Sequence, residues 1–222
     1  METFDEKWEE VHKSHAWGKY PSEEVIRFVA RNFYSKDRKN IKLLDAGCGT
    51  GAIAWFIARE GFCCYGFDGS PSAIENGVKR MKIEGLEAEL KVGDAGAMAY
   101  ENEFFDAVID SAMLMCNTIE QIRQILDECH RILKNGGKIF STVLLSKETT
   151  GYGTGEELEK NTYRNCTIGC VAGVGTVHFF SRDEIYMLWQ AAGFKNIKID
   201  TMRRTDFNGK VVTAYYMVEA DK

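Results

Sequence analysis

The chain has 222 residues, 45% of them hydrophobic, enough to bury one substantial core and too few to make two full-sized domains. Its net charge of −5 supplies no broad positive field for a phosphate backbone, which sets RNA and DNA low among substrates. The charged start (Glu2, Asp5, Glu6, Lys7) and the lack of any apolar run near the roughly 20 residues a membrane span needs predict a soluble, cytoplasmic protein with no membrane partner. Seven cysteines form an odd set without paired CxxC spacings, so they read as thiols, most of them small core residues.

In chain order, 21–34 places Val25, Ile26, Phe28, Val29 and Phe33 on an apolar helical stripe. It belongs to an expected N-terminal helical cap, 1–38, whose first part is positioned to fold over a site. Short apolar or β-branched segments at 41–45, 62–67, 89–92, 105–110 and 138–145 read as strands buried on both faces. Helices fall between most of them. Segment 52–59 is helical in pattern with Gly61 near its end, and Ser70-Pro71 supplies an N-cap and a first-turn proline. Thr118 with Gln121 and Ser181 with Glu184 have capping-box spacing, each ahead of apolar residues at helical intervals. Two last strands, 195–201 and 211–218, flank Asn208-Gly209 and read as an antiparallel pair. Alternating strands and helices imply an α/β fold with a parallel sheet covered on both faces. We expect one domain over 1–222, with 146–180 as an insertion that covers the substrate.

In such a sheet, ligands bind beyond the carboxyl ends of the strands. Gly47, Gly49 and Gly51 follow the first strand, letting the backbone turn sharply and approach a ligand. The helix that starts near Gly51 points free N–H groups at the same space, suited to a carboxylate. Asp68 ends the second strand, where a carboxylate can accept both hydroxyls of a ribose. Asp94 ends the third. Gly47-x-Gly49-x-x-Ala52 also satisfies the loose dinucleotide fingerprint. Against that rival stand Asp45 ahead of the first glycine, the third acidic site at Asp94, and the run Leu133-Lys134-Asn135-Gly136-Gly137 before the fifth strand.

The run Leu43-Leu44-Asp45-Ala46-Gly47-Cys48-Gly49-Thr50-Gly51 resembles motif I of class I S-adenosylmethionine (SAM)-dependent methyltransferases. The resemblance continues through Gly66 to Pro71, Gly93-Asp94-Ala95, Phe105 to Val108, Leu133 to Gly137 and Ala192-Gly193-Phe194. It departs at Asn135, where the family commonly has proline. The resemblance implies a Rossmann-like, doubly wound sheet of seven strands with the last antiparallel, and SAM as cofactor with S-adenosylhomocysteine (SAH) as product. It places Asp68, with Gly69 and Ser70 beside it, at the ribose, and Asp94 and the Ala95 backbone at the adenine. The methionine portion falls to the loop with Asp45, Gly47, Cys48, Gly49 and Gly51, and Asp110 and Ser111 border the methyl group.

The implied reaction is methyl transfer to an N or O acceptor on a small molecule, a sugar or secondary metabolite among the candidates. The alternatives are a protein or nucleic-acid methyltransferase and a non-catalytic SAM-binding protein. Trp17, Tyr20, Tyr152, Tyr163 and His178 are the candidate substrate contacts, and His178 is also the candidate general base for a hydroxyl acceptor. Asp106 reads as a structural turn residue, and His12, His15 and His130 as surface residues. Cys166 and Cys170 read as an incidental pair, since no third ligand accompanies them and no metal is expected.

Overall fold

A computed structural model describes residues 2–14 and 18–222. Its sheet is built on β1 (Lys42–Ala46), β2 (Cys63–Asp68), β3 (Glu89–Val92), β4 (Phe105–Ser111) and β5 (Leu133–Leu145), which run parallel. β9 (Lys195–Asp206) and β10 (Val211–Asp221) complete it in the order β3-β2-β1-β4-β5-β10-β9, and β10 is antiparallel to both its neighbours. That reversal is local chemistry: Phe207, Asn208 and Gly209 all take positive φ, which turns the chain back within four residues. Leu43, Leu44, Ala107, Val108 and Ile109 are fully buried because helices cover both faces.

On one face, α2 (Glu23–Phe33), α3 (Ala52–Arg59) and α4 (Pro71–Glu84) pack, and Phe28 stacks on Phe140 of β5 at 4.7 Å. On the other lie α5 (Ile119–Ile132) and α6 (Arg182–Ala191), whose apolar stripes end in the core through Ile122, Ile125, Leu126, Ile185 and Trp189. The expected caps form. Thr118 and Gln121 make a reciprocal capping box, Ser181 accepts from the Glu184 amide, and Ser70 accepts from the Ala73 amide ahead of Pro71. Among the described residues no helix is long and apolar enough to cross a membrane.

Two regions differ from the sequence reading. The run 133–137, expected ahead of the fifth strand, lies inside β5, where pairing slips between Phe105↔Leu133 and Ala107↔Lys138 and the extra residues are absorbed as a bulge. Segment 146–180 has its own small antiparallel sheet of β6 (Glu156–Glu159), β7 (Thr162–Arg164) and β8 (Thr176–His178). Tyr163, Cys166, Val171, Val177, Phe179 and Phe180 of this segment are buried, so it is anchored in the core rather than loosely attached.

β1 sits at the switch point of the winding: the chain moves from β1 toward β2 and β3, then crosses to β4 on the other side. The crevice beyond the ends of β1, β2 and β4 is where an open sheet of this kind binds ligands. Residues 2–6 and α1 (Lys7–Ser14) lie across it as a strap.

Candidate cofactor site

A cavity of about 350 Å³ opens at that crevice. The loop after β1 forms one wall. Gly47 has φ +69, and a Cβ there would come 2.5 Å from that of Met113, so this position both needs the left-handed conformation and leaves no room for a side chain. Cys48 and Gly49 line the cavity, while Gly51, also at positive φ, caps α3 without lining it.

Asp68 lines the cavity from the end of β2. Its two oxygens accept from the amides of Gly49 and Ser70, each at 2.8 Å, which fixes the carboxylate at the mouth of the glycine loop. Burial raises its pKa, opposed by those two amides and by His12. Gly69 and Ala95 also line the cavity, and so do Ser111 and Tyr20. Tyr20 is 71% exposed at the mouth and packs edge-on against Trp55 at 5.4 Å.

Other expected cofactor residues serve the site from behind. Asp45 is buried and accepts from the Ala54 amide at 2.9 Å, tying β1 to the first turn of α3; burial pushes its pKa up to about 8. Asp110 is fully buried, accepts from the Met113 and Leu114 amides at 2.9 and 3.2 Å, and is pushed by burial up to about 7. It shapes the turn after β4, and Ser111 and Ala112 carry that turn to the cavity wall. Ser70 caps α4, and its hydroxyl donates to Glu9. Asp94 does not line the cavity. Its carboxylate accepts from the Glu2 amide at 2.6 Å, from the Thr3 amide and hydroxyl, and from the Gly96 amide at 3.1 Å. Burial works to raise its pKa, and these donors outweigh it, holding the carboxyl below its ordinary value.

The substrate candidates fare differently. Trp17 lies outside the described residues, as does His15. His178 is fully buried, bonded through Nδ1 to the Thr162 hydroxyl at 2.7 Å and through Nε2 to Glu184 at 3.1 Å, and it does not line the cavity. The adjacent aromatic run pulled it inward, and it joins the small sheet to α6. Tyr152 and Tyr163 form an aromatic cluster with Phe179, centroids 5.3–6.0 Å apart, and none of the three lines the cavity. Asp106 has the structural role expected of it, accepting from the Lys42 amide and from Lys134. His130 is half-buried against Phe194 rather than a free surface residue.

The N-terminal part expected to fold over the site does so as the strap, but its contact residues were not among the candidates. Thr3, Phe4, Trp8 and His12 line the cavity, and His12, expected at the surface, is 8% exposed. Burial lowers its pKa, opposed by the carboxylates of Asp68 and Glu9. Asp5 accepts from the Thr176 amide and hydroxyl, which joins the strap to β8, and Glu9 accepts from Ser70 and Ser72. The one sequence signal was the spacing of Trp8, Val11 and His12 on a single helical face. A second, polar cavity of about 480 Å³ lies on the far side of Thr3–Asp5 and shares Cys116 and Asn117 with the first.

A match to the family described as methyltransferase domain runs over residues 43–137, from β1 through the glycine loop, Asp68 and Asp94 to Gly137. This segment is similar to the methyltransferase-domain family. A ubiquinone biosynthesis O-methyltransferase from Pelagibacter ubique is 29% identical over 126 residues, which is 57% of this chain and 51% of that protein. The chain spans about half the length of the curated relatives it matches. The structure of a SAM-dependent methyltransferase from Methanosarcina mazei superimposes with a TM-score of 0.72 at 19% identity, covering 91% of this chain and 98% of that one. Phosphoethanolamine N-methyltransferase 2 of Haemonchus contortus, solved in complex with SAM, gives a TM-score of 0.67 at 17% identity over 97% of this chain and 56% of that one. The matched segment lies within the seven-stranded sheet, a Rossmann-like fold shared with the Methanosarcina mazei structure.

Proposed function

We propose that the chain transfers the methyl group of SAM to a nitrogen or oxygen on a small molecule, leaving SAH. The observation that carries this reading is a single cavity in which the glycine loop and Asp68 face the turn after β4 and residues Cys116 and Asn117. Its volume falls within the range of roughly 300–1,000 Å³ usual for small-ligand pockets. Gly47 brings bare backbone to the wall, and Asp68 offers a fixed carboxylate beside it, as an adenosine-bearing, amino-acid-tailed cofactor requires.

When bound, SAM supplies a methyl group on a sulfonium leaving group. The work left to the protein is alignment, which alone can supply roughly 7–11 kcal/mol. Asp68 would hold the ribose hydroxyls, the loop of Gly47 to Gly49 the amino-acid portion, and Ser111 and Ala112 the border of the transferred group. The cavity is roofed by the strap, which Asp5 ties to β8. That roof favours an acceptor small enough to be enclosed over a protein surface or a duplex. The similarity to a ubiquinone biosynthesis O-methyltransferase supports a small acceptor.

Methyl-labelled SAM incubated with the protein and fractionated cell extract tests this, with mass analysis of the labelled fraction. Label in a small molecule together with SAH is expected. Label in protein or nucleic acid overturns the acceptor class, and bound SAM without any SAH makes the chain a binder.

A further inference from the structure

Two glycines at the rim of the cavity are small for a reason other than backbone conformation. Neither Gly69, directly after β2, nor Gly96, after β3, takes a positive φ. A Cβ at Gly69 would overlap the ring of Phe4, and one at Gly96 would come 2.6 Å from the Thr3 methyl carbon. Both places are hollowed to seat two consecutive residues of the strap. Asp94 then latches the seated strap through the Glu2 amide and the Thr3 amide and hydroxyl.

The consequence concerns the purine. With its carboxylate bonded to the strap, Asp94 does not line the cavity, whereas Phe4 lines it together with Asp68, Gly93 and Ala95. We propose that Phe4 is the apolar wall against which the adenine of the cofactor lies, held there by the Thr3–Asp94 latch, so that the cofactor site is complete only with the strap docked. Gly69 makes this arrangement by leaving its own side-chain space to a ring delivered from the N-terminus. Asp94 is accordingly a positioning residue, acting on the base through Thr3 and Phe4. The inference rests on the cavity taking SAM.

Calorimetric titration of the full chain with SAH and with 5′-methylthioadenosine, which keeps the base and lacks the amino-acid tail, tests it. Phe4→Ala is expected to weaken both ligands by a similar factor, roughly 10-fold, as loss of an aromatic–base contact does. Asp94→Asn is expected to weaken them too and, in the same sample, to speed hydrogen exchange in residues 2–14; a residue reading the base directly would weaken binding with that exchange unchanged. A Phe4→Ala protein that binds SAH as tightly as the unaltered chain, or more tightly, overturns the proposal, because the ring then stands clear of the base or occupies its place. Should Phe4→Ala fail to fold, Phe4→Leu is held to the same criterion. Failure of the unaltered chain to bind SAH is a different result: it removes the cofactor reading itself.

Discussion

Thr3 donates to the Asp94 carboxylate through both its amide and its hydroxyl, across 91 positions of sequence. The pair fastens the strap to the end of β3, and a hydrogen bond to a charged group contributes more than one between neutral partners. Thr3→Val keeps the shape and the amide but deletes the hydroxyl. A loss of about 1 kcal/mol in docking is expected, read as a roughly fivefold rise in hydrogen-exchange rate over residues 2–14 with the central strands unchanged. Equal exchange in the two proteins would show that the hydroxyl contributes nothing to the latch.

The protonation of Asp45 sets a pH dependence. Burial, with the carboxylates of Asp68 and Asp110 adding and the Ala54 amide opposing, lifts its pKa from 3.8 to about 8. A carboxyl that holds its proton more tightly when folded contributes stability that is fully present below about pH 4 and is lost as pH rises through about 8. Asp45→Asn cannot lose a proton and retains an acceptor for the Ala54 amide. The melting temperature of the variant should therefore gain on that of the unaltered chain by a few degrees between about pH 5 and about pH 9. Parallel curves over that range would mean Asp45 is ionised in the folded protein.

His178 is assigned to the scaffold by its burial and its two partners, Thr162 and Glu184. Replacing it with alanine removes both bonds and leaves a cavity, Thr162 keeping only its bond to Glu159, and is expected to cost about 1–3 kcal/mol of stability in denaturant titration. SAH affinity of the folded variant should stay within about twofold, since His178 does not line the cavity. A variant of normal stability that has lost methyl transfer would return His178 to the chemistry.

How legible this was in the sequence depended on how local each cause is. Leu43-Leu44 and Ala107-Val108-Ile109 announce strands buried on both faces, and Thr118, Ser181 and Ser70 announce helix starts, because propensity and capping act within a few residues. The glycine loop and Asp68 were legible for the same reason. The small sheet of 146–180 was not: β6 carries Glu156, Glu157 and Glu159, its partners are three residues long, and order comes from the packing of Tyr152, Tyr163 and Phe179. The strap was hidden more deeply. Thr3, Phe4 and Asp5 have no pattern of their own, and their places are fixed by Asp94, Gly69 and Thr176, the last 171 positions away. Asp94 marks the limit of the motif itself, which located the residue at the end of β3 but carried no information about which donors its carboxylate would meet.

The central claim, that the cavity is a SAM site organised by Asp68, is tested most directly by calorimetric titration of the unaltered chain and of Asp68→Ala with SAH, with NAD as the competing ligand class. The account predicts saturable SAH binding by the unaltered chain, weakened roughly 10- to 100-fold in a folded Asp68→Ala protein because a charged acceptor of the ribose hydroxyls is gone, and no heat with NAD. Unchanged SAH affinity without the Asp68 carboxylate, or saturable binding of NAD in place of SAH, would contradict it.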